Sequence, residues 1–274
     1  MKKVPEMNTA KKVRLGKILG ASSQRAVIVP IDHGLTVGPL TGIESTARIA
    51  RWIGHPGVDA VVAHKGILSR LADQGALDRK GVILHLNGMS SLSDSVDDKE
   101  WLTSIETALL LGADAVSLQV NFNGRNDRAN WKMLGQVVDG AARYGLPVLT
   151  MIYDKVGEEP QRLHRIKQLM RTAVELGTDA LKIGMSERPE LLREALEDVQ
   201  GDALVFVAGG ELTGDEPLLE HVSNALRAGA RGVCIGRNIF VKKSPALLLE
   251  RLSKLVHGEP ARGEREVALA SIRR

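Results

Sequence analysis

Gly177-Thr178-Asp179-Ala180-Leu181-Lys182-Ile183-Gly184 is the stretch on which the fold turns. A glycine able to take a left-handed conformation ends a helix-period segment, and a short apolar run follows at once. The same junction recurs at Gly57-Val58-Asp59-Ala60-Val61, Gly112-Ala113-Asp114-Ala115-Val116 and Gly229-Ala230-Arg231-Gly232-Val233. Recurrence of one helix-to-strand junction marks a repeated βα unit. Working outward, strand-like runs fall at 26–31, 58–63, 82–86, 113–119, 146–152, 179–183, 203–208 and 232–235, with the junctions before the second, fourth, sixth and eighth. Amphipathic stretches at 100–111, 130–143, 161–176 and 217–228 lie between them. Continuous apolar strands alternating with helices require a parallel sheet buried on both faces. Eight such units with no break in composition favour a single (β/α)8 TIM barrel of the α/β class over an open doubly wound sheet. The chain then divides into an N-terminal helical arm (1–25), the barrel (26–257) and a charged C-terminal tail (258–274).

Composition narrows the function classes. A length of 274 residues suits one barrel, since roughly 250 residues is typical of that fold. Cys234 is the one cysteine, so neither an intramolecular disulfide framework nor a cysteine pair for zinc is available. No apolar run is long enough to span a bilayer, and no apolar signal core follows the basic start; a cytoplasmic protein with no membrane partner is expected. The formal net charge of +4 comes from the first 25 residues, where Lys2, Lys3, Lys11, Lys12, Arg14, Lys17 and Arg25 face only Glu6. The remainder is slightly acidic. With aromatic residues at 3% of the chain, base stacking has little to work with, and no nucleic-acid partner is expected.

A lysine inside a buried strand must be paired or have its pKa lowered by desolvation, and a neutral amine in a dry pocket is a nucleophile. Lys182 stands in the sixth strand, at the end where such barrels carry their chemistry. Asp32 and His33 close the first strand, His64 and Lys65 the second, His85 the third, and Tyr153 the fifth. Asp32 is a candidate acid or base or a partner for Lys182, and Tyr153 a proton carrier beside the lysine. The last two strands end in Gly209-Gly210 and in Gly236-Arg237, where absent side chains let backbone N–H groups approach an anion and Arg237 opens a helix. That pattern predicts a phosphate-group site and a small phosphorylated substrate, with His33 and Lys65 as further candidates on the rim. His33, His64 and His85 come from successive strands, but no acidic ligand completes a metal motif, so no metal is expected.

These residues resemble a known family. Val27-Ile28-Val29-Pro30-Ile31-Asp32-His33-Gly34, His64-Lys65-Gly66-Ile67, Ala208-Gly209-Gly210 and Gly236-Arg237-Asn238-Ile239-Phe240 are similar to motifs of the archaeal-type class I aldolases, which include fructose-bisphosphate aldolases and amino-sugar-acid synthases. The likeness runs from about residue 13 to 256. It implies a carbon–carbon lyase with a Schiff-base lysine at Lys182, an acid/base aspartate at Asp32, a catalytic tyrosine at Tyr153, and phosphate-binding turns at Gly209, Gly210, Gly236 and Arg237. No cofactor is implied. A homo-oligomer, pentamer or decamer, is implied, acting on a keto-phosphate such as dihydroxyacetone phosphate and an aldehyde. Leu35-Thr36-Val37-Gly38-Pro39 and His85-Leu86-Asn87-Gly88 look more like the amino-sugar-acid synthases, which points to aspartate semialdehyde as acceptor. The chain departs from the pattern in Ile183-Gly184-Met185 after the lysine, in Asp154 where proline is usual, and in Val241 where glutamine is usual. Two other readings stand beside it: a coenzyme A-dependent thiolase acting on a phosphorylated dione, and a non-catalytic phosphosugar-binding barrel.

Overall fold

The period of two along each apolar run serves two cores at once. In a computed structural model describing residues 8–157, 161–184 and 189–258, Ala26, Ile28, Ala60, Val62, Ile83, Ala115, Leu149, Met151, Ala180, Leu204, Phe206 and Cys234 form one apolar cluster inside a closed sheet. Their neighbours Val27, Val29, Val61, Leu84, Val116, Leu118, Leu181 and Val205 point outward into a second cluster shared with the helices. Continuous hydrophobicity therefore fills the barrel and seats its helical jacket together.

The strands are β1 (Ala26–Pro30), β2 (Ala60–Ala63), β3 (Gly81–His85), β4 (Asn87–Gly88), β5 (Glu100–Trp101), β6 (Ala115–Phe122), β7 (Val148–Asp154), β8 (Ala180–Ile183), β9 (Leu204–Ala208) and β10 (Gly232–Cys234). The helices are α1 (Thr9–Ile18), α2 (His33–Val37), α3 (Thr46–Ile53), α4 (Lys65–Asp73), α5 (Ile105–Leu110), α6 (Asp127–Ala142), α7 (Gln161–Glu175), α8 (Pro189–Glu197), α9 (Asp215–Ala228), α10 (Arg237–Phe240) and α11 (Ala246–His257). All but β4 and β5 close the barrel in the order β1-β10-β9-β8-β7-β6-β3-β2, every pair parallel, with Ala26 of β1 level with Gly232 of β10. The fold is the expected (β/α)8 barrel.

The recurrent junction has a structural reason. Asp59, Asp114 and Asp179 each accept a hydrogen bond from a backbone N–H of the preceding barrel strand, at Val27 (2.6 Å), Val82 (3.0 Å) and Val148 (2.9 Å). Each carboxylate also meets a basic side chain, Asp59 the His257 ring (2.9 Å), Asp114 Lys17 (2.9 Å) and Asp179 Lys11 (2.7 Å). The two lysines lie on α1, whose Leu15 and Ile18 join the interior cluster and stop the lower end of the barrel. Arg14 adds a hydrogen bond to the Ala113 carbonyl. Lys11, Arg14 and Lys17 of the basic N-terminal segment are thus spent on the barrel floor.

Two local expectations need correction. Gly112, Gly177 and Gly229 take positive φ at the junctions, but Gly57 does not. There a side chain would collide with the Leu249 carbonyl oxygen, at 2.6 Å, so close packing selects the glycine. The amphipathic stretch 100–111 is helical only from Ile105, where the Ser104 hydroxyl caps the helix by accepting from Thr107 N–H. Residues before it pair with β4 instead, Trp101 opposite Asn87. The tail lies outside the described residues beyond Gly258. No described helix is long and apolar enough to cross a membrane.

Candidate active site

Above the apolar layers the same inward-facing positions turn polar. Lys182 of β8 lies level with Met151 of β7 and Phe206 of β9. It is 6% exposed, with Nζ 3.8 Å from the Met151 sulfur and 6.0 Å from the centre of the Tyr153 ring. No carboxylate lies within ion-pair distance of it among the described residues. Tyr153, two positions beyond Met151 on the same face of β7, packs against the interior cluster. Asp32 reaches the site from the end of β1, and His85 from the end of β3. The His85 Nε2 lies 3.6 Å from the Asp32 carboxylate, and its Nδ1 shares a hydrogen bond of 2.8 Å with the Ser117 hydroxyl.

Charge in this cavity runs against one expectation. Burial acts to lower the Lys182 pKa, but Tyr153, Cys234 and the Asp32 carboxylate outweigh it and hold the amine above the usual lysine value. Desolvation by itself therefore does not free the amine; the resting group is an ammonium. Burial pushes the Cys234 thiol up to about 11. For Asp32, burial would raise the carboxyl, yet the His33 ring, His85 and Lys182 together hold it well below the usual carboxylate range. His85 is pushed down to about 3, burial overcoming the pull of Asp32, and it serves as a neutral imidazole. His64 is also lowered by burial and meets His85 edge to face at 5.1 Å. The site therefore sets the Lys182 ammonium beside the Asp32 carboxylate, the Tyr153 hydroxyl and the neutral His85 imidazole.

The glycine turns stand beside this cluster. Gly210 has φ 66°, a backbone that favours glycine, and Arg237 donates to its carbonyl at 3.2 Å. A side chain at Gly236 would lie 2.7 Å from the His33 ring and 2.8 Å from the Pro30 carbonyl oxygen. His33 packs its ring edge-on against Phe240 at 5.2 Å and brings Nδ1 within 3.3 Å of the Asp32 carboxylate. Buried Asn238 ties the turns together: its side-chain N–H₂ donates to the Gly209 and Glu211 carbonyls and its oxygen accepts from Thr213 N–H, each at 2.9 Å. Because α10 is a single turn, its dipole adds little to an anion site. Gly209, Gly210, Gly236, Arg237 and His33 are thus gathered in one region. Lys65 is not: it is exposed at the start of α4 and reaches the Leu102 carbonyl at 3.5 Å, towards the loop after β3. Among the described residues no three His, Cys, Asp or Glu side chains are grouped to hold a metal ion.

Asp154, unusual beside the tyrosine, holds the loop after β7. It receives two bonds from the Arg165 guanidinium (2.8 and 2.9 Å) and one from each of the Val156 and Gly157 N–H groups. Met185 lies outside the described residues. Two residues escaped the sequence reading. Asn238 stood within a quoted motif, but its bonds depend on contacts 25 to 29 positions away. Lys99 is only 7% exposed, yet it occupies a polar stretch with no periodicity to mark burial.

Comparison with known proteins agrees with this arrangement. The family model described as DeoC/LacD family aldolase matches residues 26–242. The chain is 34% identical over 250 residues to 2-amino-3,7-dideoxy-D-threo-hept-6-ulosonate synthase 1 of Archaeoglobus fulgidus, covering 90% of this chain and 91% of that protein. It is 30% identical over 262 residues to 2-amino-4,5-dihydroxy-6-oxo-7-(phosphonooxy)heptanoate synthase of Streptomyces griseus, covering 94% of each. Among solved structures, an archaeal fructose-1,6-bisphosphate aldolase with its catalytic lysine covalently bound to the carbinolamine intermediate superposes with TM-score 0.80 at 27% identity, over 91% of this chain and 100% of that one. Sequence match and barrel geometry agree over most of the chain, and the protein belongs to the DeoC/LacD aldolase family, a family of carbon–carbon lyases.

Proposed function

We propose that the protein is a Schiff-base aldolase that joins or cleaves a keto-phosphate such as dihydroxyacetone phosphate and an aldehyde, with Lys182 as the nucleophile. The observation that carries this reading is a buried lysine inside the barrel, without a carboxylate in ion-pair contact among the described residues, flanked by a phenol and an ionised aspartate. A lysine retained only for structure is expected to be paired. The related aldolase with a covalently bound catalytic lysine supports the same chemistry.

The steps follow from the groups present. The resting ammonium first loses its proton, and the free amine adds to the ketone carbon. The hydroxyl of the resulting carbinolamine gains a proton and leaves as water with cleavage of its C–O bond, giving an iminium that withdraws electrons from the adjacent carbon. Loss of a proton from that carbon makes the enamine, which attacks the aldehyde carbon; the aldehyde oxygen takes up a proton and the iminium is restored. Addition of water then releases the product and regenerates the amine. Tyr153 and Asp32 carry the protons. Neutral His85, held by Ser117, positions the Asp32 carboxylate. Gly209, Gly210, Gly236 and Arg237 receive the phosphate, so the ketone carbon is presented to Lys182. The names of the A. fulgidus and S. griseus relatives favour an amino-sugar-acid type of product, and the likeness of Leu35-Thr36-Val37-Gly38-Pro39 to such synthases supports aspartate semialdehyde as acceptor. A homo-oligomer completes the proposal.

Borohydride with dihydroxyacetone phosphate alone tests the mechanism. The expected result is inactivation with an adduct on the peptide containing Lys182, and no adduct in Lys182→Met. Full turnover by Lys182→Met would overturn it.

A further inference from the structure

The chain between β3 and α5 makes an excursion that the barrel does not require. From β4 it runs out through residues 89–99 and returns as β5. Both sides of this excursion are tied to the barrel mouth. On one side Ser91 N–H donates to the Thr36 carbonyl in α2, 2.7 Å away. On the other, Asn121 at the end of β6 donates to the Asp97 carboxylate at 3.0 Å, and Asn126 donates to the Asp97 carbonyl at 3.2 Å. Lys155, just after β7, closes the same corner with an ion pair to Asp97 of 3.1 Å. The excursion thus spans the rim from the β1 side to the β6 and β7 side. In the closed strand order, β3 and β6 stand directly across the ring from β9 and β10, the strands that end in the glycine turns.

Lys99 lies on the return of this excursion and is almost wholly buried. Asp97, the carboxylate that acts on it most, is in ion-pair contact with Lys155 and offsets the Lys99 charge only from a distance, as Asp32 does. Lys99 itself has no ion pair or hydrogen bond within contact distance among the described residues. The root of the excursion sits at the mouth: a side chain at Gly88, which pairs with Glu100 next to Lys99, would lie 2.7 Å from Leu35 and 3.5 Å from the His64 ring. The Lys99 charge acts on Asp32, His64 and His85. Burial lowers its pKa against the pull of Asp97 and Asp32, and a buried ammonium with no partner in contact costs stability. Retained over a catalytic carboxylate, it is explained by an anion that arrives with the substrate.

We infer that Lys99 is the receptor for the anionic end of the acceptor aldehyde, across the mouth from the phosphate of the keto-substrate. This rests on the aldolase reading above and gives the site two charged poles with Lys182 between them. A donor held by its phosphate at the glycine turns points its reacting carbon inward. An acceptor held at Lys99 points its aldehyde to meet it. Two anionic acceptor types fit a lysine, a carboxylate and a phosphate monoester, and a neutral aldehyde does not benefit.

The test compares wild type, Lys99→Met and Lys99→Arg with dihydroxyacetone phosphate as donor and three acceptors: aspartate semialdehyde, glyceraldehyde 3-phosphate and uncharged glyceraldehyde. Loss of a desolvated charge-assisted contact should lower kcat/KM for the anionic acceptor by about 30- to 100-fold in Lys99→Met, with the neutral acceptor changed by less than about threefold. Lys99→Arg should recover part of the loss. The anion with the larger loss identifies the acceptor class. Thermal unfolding should leave Lys99→Met at least as stable as wild type, because a buried charge with no contact partner has been removed. Equal loss for charged and neutral acceptors, or no loss for any, overturns the inference. Borohydride trapping by the donor alone reports on Lys182 independently: trapping without acceptor discrimination refutes the role of Lys99 only, whereas absence of trapping in wild type refutes the aldolase reading.

Discussion

Lys11→Met tests how the barrel floor is held together. The Lys11 ammonium places two bonds of 2.7 and 2.8 Å on the Asp179 carboxylate, whose only other partner among the described residues is Val148 N–H at 2.9 Å. The two side chains are 13% and 7% exposed, so the pair is mostly desolvated. Breaking a fully buried pair costs about 3–5 kcal/mol; the residual exposure of Lys11 and the retained Val148 bond bring the expected loss to about 2–3 kcal/mol. For a domain of this size that corresponds to a fall in Tm of about 4–12 °C. The pH dependence separates electrostatics from packing. Burial already raises the Asp179 carboxyl above its ordinary value, against the opposing pull of Lys11. A carboxyl raised in the folded state favours folding below its unfolded pKa, and that contribution is lost as pH rises through the folded value. Without Lys11 the folded value climbs further. The deficit of the variant should therefore be small near pH 4, grow as pH rises through the raised range, and level off once Asp179 is ionised. Thermal unfolding of both proteins from pH 4 to 8.5 measures it. A deficit of equal size at every pH would refute the argument and assign the loss to packing of α1.

Asn238→Ala removes three bonds from the loops after β9 and β10. It should raise KM for the keto-phosphate about tenfold or more, with a smaller change in kcat; an unchanged KM in steady-state assays would contradict the placement of the phosphate there. The rate of borohydride trapping at saturating donor should rise from pH 7 into the alkaline range, because Lys182 rests as an ammonium held above the usual lysine value. The same profile should show no acid limb between pH 5 and 7 from Asp32, which stays ionised far below that window. A trapping rate that is flat from pH 7 to 10 would mean that the amine is already free.

What a linear reading can recover is whatever repeats along the chain. The glycine–aspartate junctions at Asp59, Asp114 and Asp179, the strands between them and the polar residues at the strand ends were legible because each belongs to one strand and one turn. Strand counting placed Lys182 on the sixth strand and beside Tyr153, because neighbours in a parallel barrel are successive in sequence. The charge state of Lys182 was not legible. It depends on Tyr153 and Cys234 of two other strands and on Asp32 just beyond β1, whose combined effect reverses what burial alone dictates. The same holds for Lys99, buried by a loop that α2 and β6 anchor, and for Lys11, whose partner is 168 positions away. Local pattern determined the barrel and the identity of its inward-facing groups. Only the closed ring decided which charges meet across it, because electrostatic energy depends on distance in space and on removal from water, and neither is written in the order of residues.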